Sequence, residues 1–147
     1  MLSAAILQLS TMHSLPPDAW AQLLSSETRV RSTTTVDFII PDRAARERGE
    51  HTVRIIRKQE GAVEVRRATS TTCPAVSDAV SSFRTVPMPQ PQFPDQGTKD
   101  VRDGRTYIVR FDARYGDDDA GVVELSSNMG TPLADWVDKL LAKLGSC

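Results

Sequence analysis

Histidine and aromatic residues are scarce in this chain. It contains two histidines, His13 and His51, and aromatic residues make up only 5% of it. Neither histidine lies in a helical pair with zinc-binding spacing, and neither a glycine-rich phosphate loop nor a nucleophile elbow is present. A serine–histidine–aspartate site can still assemble from residues that are distant in the sequence. The sequence gives no positive sign of an enzyme, and we expect no cofactor.

Long apolar runs and a strong net charge are also missing. No run of about 18 apolar residues occurs, which excludes a transmembrane helix among these residues. The net charge of -1 creates no global field that would concentrate the protein on nucleic acid or on an anionic membrane. The length of 147 residues fits a single domain, 1–147, with one real core. Residues 1–14 are interpreted as a leader remnant or as a flexible or helical N-terminus.

Cysteine occurs twice, and its positions favour a disulfide bond. Cys73 immediately precedes Pro74 at the start of a predicted helix, and Cys147 lies two residues beyond Gly145 at the end of another. The spacing of the cysteines excludes the familiar zinc patterns, which need four clustered ligands. A bridge would close a loop of roughly 75 residues, worth about 4 kcal/mol in the chain-entropy model. It predicts antiparallel helices and a periplasmic or secreted protein; the alternative is two unrelated cytosolic thiols.

Hydrophobic periodicity predicts the elements in the first half of the chain. From Pro17, the residues Trp20, Leu23 and Leu24 share one face of a short amphipathic helix. Period-two alternation predicts a strand over 33–40, after which 41–50 is an exposed connection with at most one helical turn. Two β-rich runs around Gly61 predict a hairpin within 52–66.

The second half begins and ends with a helix. Helical spacing predicts one helix over 74–85 and another that starts at the N-cap Thr131 and stops at Gly145. Between them, residues 87–100 form a proline-rich surface loop, and strands 106–111 and 122–125 form a second hairpin. The predicted fold class is α+β, a mainly antiparallel sheet of about five strands with two or three helices on one face.

Three adjacent carboxylates form the strongest local anomaly. Asp117, Asp118 and Asp119 repel one another, and a hard cation such as calcium would relieve that repulsion. Calcium loops usually alternate their ligands, however, because consecutive side chains point in different directions. We therefore interpret this segment as an acidic hairpin tip and a weak metal-site candidate, and expect no resident metal.

Basic residues are concentrated between residues 43 and 67. Four of them on the predicted hairpin are candidates for contact with an anion or a partner: Arg54, Arg57, Lys58 and Arg66. Arg54 and Lys58 share one face with Ile56, and Glu64 and Arg66 also alternate together, which predicts a basic outer sheet face. Aromatic residues are absent from this stretch, which removes the stacking platform of single-strand nucleic-acid binders. Cations on a sheet also prevent edge aggregation.

These observations predict an exported, non-enzymatic binding domain of the cell envelope, an inhibitor or accessory protein. Its expected partner is another protein or an envelope component. One alternative is a small hydrolase or metal-dependent enzyme that gathers Asp112, Asp117 and His51 in one cleft. The other is a cytosolic nucleic-acid module that uses Arg54, Arg57 and Arg66, which the charge balance does not favour.

Overall fold

The computed structural model of the chain describes residues 14–90, 104–115 and 119–147, without the side chains of residues 115, 119 and 120. The predicted leader or N-terminal helix lies outside the described residues, apart from residue 14. Most of the proline-rich loop and the three carboxylates of the acidic tip also lie outside them. Residues 86–90, which open that loop, form neither helix nor strand.

Six strands and three α-helices make up the described fold. The strands are β1 (Ala19–Glu27), β2 (Ser32–Ile39), β3 (Thr52–Gln59), β4 (Ala62–Thr69), β5 (Arg105–Tyr115) and β6 (Asp119–Asn128). The α-helices are α1 (Arg43–Arg48), α2 (Ala75–Ser82) and α3 (Pro132–Gly145), and a 3-10 turn (Phe83–Thr85) follows α2.

All six strands belong to one antiparallel sheet with the order β4-β3-β2-β1-β5-β6. This arrangement confirms the predicted α+β class and adds one strand to the expected number of about five. The additional strand is β1, because residues 17–24 do not form the predicted helix.

The prediction of a first helix was wrong because small residues hide the alternation of β1. Ala19, Ala21, Leu23 and Ser25 are buried in turn, while the residues between them are less buried. The strand lies in the sheet interior, paired with β2 on one side and with β5 on the other. Backbone pairing on both sides therefore overrides the helical spacing of Trp20, Leu23 and Leu24.

Helices α2 and α3 pack on one face of the sheet, which we call the helix face. Its core includes Leu23, Val36 and Ile55 from the strands, Val76 from α2 and Val137 from α3. Thr131 caps α3 by accepting a hydrogen bond from the Ala134 amide at 3.1 Å. Helix α1, capped by Asp42, has no buried residue and lies outside this core.

The predicted disulfide joins Cys73 to Cys147, with a Cα–Cα distance of 5.6 Å. It ties the start of α2 to the end of α3. At the other end of α2, the ring of Phe83 lies 5.4 Å from the ring of Trp136, near the start of α3. These contacts show that the two helices run antiparallel, as the bridge predicted.

Candidate functional site on the ladder face

The sheet face opposite α2 and α3 carries a row of polar residues that crosses all six strands. Strand register places these residues side by side: Glu124, Arg110, Gln22, Asp37, Arg54 and Arg67. Directly opposite residues of neighbouring strands share a face. We therefore call this side of the sheet the ladder face.

Hydrogen bonds connect the first five of these residues. Arg110 donates from Nε to Glu124 at 2.6 Å and from Nη1 to the side-chain oxygen of Gln22 at 2.8 Å. Gln22 donates from Nε2 to Asp37 at 2.8 Å, and Arg54 donates from Nε to the same carboxylate at 2.9 Å. Each link offsets part of the cost of placing charge in the sheet interior, since Asp37 and Arg110 are both buried.

Asp18 extends this network beyond the strands. Its two carboxylate oxygens accept hydrogen bonds from Nη1 and Nη2 of Arg54 at 2.7 and 3.0 Å. These bonds lower the pKa of Asp18 and raise that of Arg54, because both favour the charged forms. Arg54 is therefore a fixed cation whose charge is neutralised by two carboxylates.

A different kind of surface covers the ladder face of the β3–β4 hairpin. Register pairs Lys58 with Val63 and Ile56 with Val65, next to Arg67. Val63 and Val65 are 60% and 59% exposed. Among the described residues, Lys58 and Arg67 have no hydrogen-bonded ion-pair partner. We call these five residues the hairpin patch: Ile56, Lys58, Val63, Val65 and Arg67.

The four predicted contact residues divide between the two faces. Arg54 and Lys58 lie on the ladder face, whereas Arg57 and Arg66 lie on the helix face. Arg66 is opposite the core residue Ile55, and the guanidinium of Arg57 lies beside Gly145 of α3. The structure thus brings Arg54 and Lys58 together on one surface, and their contact with a partner stays a prediction.

Sequence reasoning missed most of the ladder. Gln22, Asp37, Arg110 and Glu124 were not candidates, although Asp37 and Arg110 each interrupt an apolar strand pattern at a position facing away from the core. That interruption was the available signal. The hydrogen bonds that join these residues into a network connect positions 14 to 88 residues apart in sequence.

A polar cleft of about 400 Å³ opens on the helix face beside α3. Arg105 binds Glu27 at 2.8 Å there, and the Tyr107 hydroxyl donates to Asp138 at 2.7 Å. Burial raises the pKa of Tyr107, and the bond to Asp138 acts in the same direction because it holds the phenol proton. The charged residues that line this cleft form ion pairs with one another, because Arg105 binds both Glu27 and Asp138.

The residues of the enzyme alternative are dispersed where the structure describes them. His51 directly precedes β3 and Asp112 lies on β5, with β2 and β1 between those strands. Three strand spacings correspond to about 14 Å. The side chains of Asp117, Asp118 and Asp119 are outside the described residues. Within the described part of the chain, no cluster of histidine, cysteine, aspartate and glutamate has the geometry of a metal site.

Comparison with protein-family models, with curated proteins and with solved structures finds no match to this chain. Across the described ranges, no helix has both the length and the apolar character required to cross a membrane.

Proposed function

We propose that this protein is an exported, non-enzymatic binding domain that holds an acidic, apolar segment of a partner protein against the hairpin patch. The observation that carries the proposal is the position of Lys58 and Arg67 beside two valines that are more than half exposed. Within the described part of the chain, neither cation forms a hydrogen-bonded ion pair. An exposed apolar group rimmed by charge is typical of a protein-binding surface.

Charge determines the kind of partner that fits. Along the ladder, Arg54 and Arg110 are neutralised by carboxylates of the same network. Lys58 and Arg67 are the cations of the hairpin patch, and no carboxylate of the described residues is hydrogen-bonded to either of them, although Asp18 attracts Arg67 at longer range. A segment that alternates acidic and aliphatic residues would meet both the cations and the valines.

Export is supported by the disulfide bond, which is compatible with an oxidising extracellular compartment. Alkylation of protein taken directly from its host cells should leave both cysteines unmodified. Modification of Cys73 and Cys147 in that sample would contradict export, because it would show that the bridge is absent where the protein resides.

Binding can be tested with the oxidised full chain and two fluorescent peptides of equal length, one alternating glutamate with valine and one alternating lysine with valine. We expect the acidic peptide to bind at least tenfold more tightly, with an affinity that falls as salt rises. The double variant Lys58→Glu/Arg67→Glu should reverse that preference.

The matched control is Arg43→Glu/Arg48→Glu, which changes the net charge equally on the exposed helix α1. It should bind like the original protein. Equal effects of the two double variants, or equal affinity for the two peptides, would contradict the hairpin patch. Stronger binding to a labelled oligonucleotide than to the acidic peptide would instead favour the nucleic-acid alternative.

A further inference from the structure

Strand β4 is an edge of the six-stranded sheet. All eight of its residues pair with β3 without a bulge, and none of them is proline. Natural sheets blunt their edges with prolines, bulges or very short strands, because a row of unpaired backbone groups recruits another strand. Strand β4 has none of these three devices, and its protection rests on the charged residues Glu64, Arg66 and Arg67, which oppose pairing unless the partner strand offers opposite charges.

The two-residue loop Glu60–Gly61 determines which backbone groups of β4 face outward. Hydrogen-bonded and non-hydrogen-bonded pairs alternate along an antiparallel ladder, and the pair that closes a two-residue loop is hydrogen-bonded. That closing pair is Gln59 with Ala62. Val63, Val65 and Arg67 therefore direct their amide and carbonyl groups away from β3.

A second copy of β4 fits this edge in one register. When a two-fold axis passes through Val65, the two Val65 residues face each other and Glu64 of each copy faces Arg66 of the other. Moving the axis to residue 64 or 66 would oppose two glutamates or two arginines instead. Like charges directly opposite one another are destabilising, which also disfavours an axis at residue 67. An axis at Val63 would pair only residues 62–64 of β4, so the axis at Val65 combines the longest overlap with opposite charges.

Glu64 and Arg66 are the charges that the two-fold register brings together, and the cation opposite Glu64 within the hairpin is Arg57. Among the described residues, neither Glu64 nor Arg66 forms an ion pair, and Nε and Nη2 of Arg66 are shielded from solvent without a hydrogen-bond partner. Arg66 therefore loses no hydrogen bond at these atoms when it turns to a carboxylate. In the two-fold register, Glu64 of one copy and Arg66 of the other form a pair without backbone hydrogen bonds between them. Side chains approach most closely in pairs of this type.

We propose that two copies of this chain pair through antiparallel β4 edges, with Val65 on the two-fold axis, and form one continuous twelve-stranded sheet. This inference does not depend on the proposed function. Its charges, Glu64 and Arg66, are on the helix face, whereas the cations that select an acidic partner are on the ladder face.

Sedimentation of the oxidised full chain over a range of concentrations tests the pairing. We expect the mass to approach twice the 16.1 kDa of the chain as concentration rises. Val65→Lys should stay monomeric at those concentrations, because two lysines would meet on the axis. Val122→Lys, at an exposed position on the opposite edge strand β6, should dimerise normally. A monomer at all concentrations, or equal effects of the two substitutions, would overturn the proposal.

Cysteine cross-linking tests the register. In the two-fold register the Cα atoms of residue 65 are about 5.5 Å apart, within the range of a disulfide. Val65→Cys should therefore give a covalent dimer on a non-reducing gel. Val63→Cys should not, because its two copies are separated by four residues, about 13 Å along the strand. Cross-linking at residue 63 but not at residue 65 would exclude the proposed axis, whatever the outcome of the peptide experiment.

Discussion

Asp37 accepts hydrogen bonds from two side chains in the interior of the sheet. It is 1% exposed and lies between Gln22 on β1 and Arg54 on β3. Asp18 binds the same Arg54, but its side chain is 46% exposed. Arg54 therefore forms one ion pair with a buried carboxylate, Asp37, and one with a solvated carboxylate, Asp18.

We expect Asp37→Ala to lower the free energy of unfolding by about 3 kcal/mol, because it leaves buried donors of Gln22 and Arg54 without an acceptor. Asp18→Ala should cost much less, since water replaces an exposed carboxylate. Urea unfolding followed by tryptophan fluorescence measures both. Equal losses of unfolding free energy for the two variants would show that the stabilising effect of a ladder carboxylate does not depend on its burial.

How far the site could be predicted is clearest at the hairpin cations. Period-two alternation correctly placed Arg54 and Lys58 on one face, and the same rule puts Arg57 on the other. The position of Arg66 depended on the loop, because Gln59 pairs with Ala62 and is not part of the turn. A change of one residue in loop length alters the pairing of the whole strand, which sequence alone did not resolve.

Elements with strong local signals were predicted well. Helix α3 has a capping threonine, a proline in its first turn and apolar residues at helical spacing. It spans Pro132–Gly145 and ends at the C-cap Ser146, one residue later than the expected cap at Gly145. Strand β1 has no comparable signal, because alanine and serine occupy three of its four buried positions. Its two neighbouring strands decide its conformation, and those contacts are not local in sequence.

The β3–β4 turn provides a prediction at the scale of one element. Gly61 has a φ of +87°, in the region that favours glycine, although a Cβ atom there would meet nothing within 4 Å. Gly61→Ala should therefore destabilise the protein by about 1 kcal/mol through backbone strain alone. Gly121→Ala, in strand β6 with equal space and no positive φ, should not destabilise it. The difference in urea midpoint between these two variants measures whether the loss of stability comes from backbone strain at Gly61.

For the whole molecule, the fold class was within reach of the sequence and the strand order was not. Hairpins predicted that β3 adjoins β4 and that β5 adjoins β6, because those strands are neighbours in sequence. The pairing of β1 with β5 joins residues as distant as Ala21 and Phe111, with no local signal. The sheet is completed by that pairing, which places both hairpins on either side of β1 and β2.

The disulfide acts on the molecule as a whole because it links residues 74 positions apart. It joins the end of the chain to the start of α2, and thereby holds α3 against α2 on the helix face. Replacing both cysteines by alanine should lower the free energy of unfolding by about 4 kcal/mol, mainly because the unfolded chain gains freedom.

Urea unfolding of the oxidised protein, the reduced protein and the Cys73→Ala/Cys147→Ala variant measures this contribution. The reduced protein and the double variant should agree within about 1 kcal/mol, since each lacks the same loop closure. The peptide preference of the hairpin patch should persist in the double variant under conditions where it remains folded, because the patch lies on the opposite face of the sheet from α2 and α3. Loss of that preference in a folded variant would show that the bridge shapes the binding surface as well as stabilising the chain.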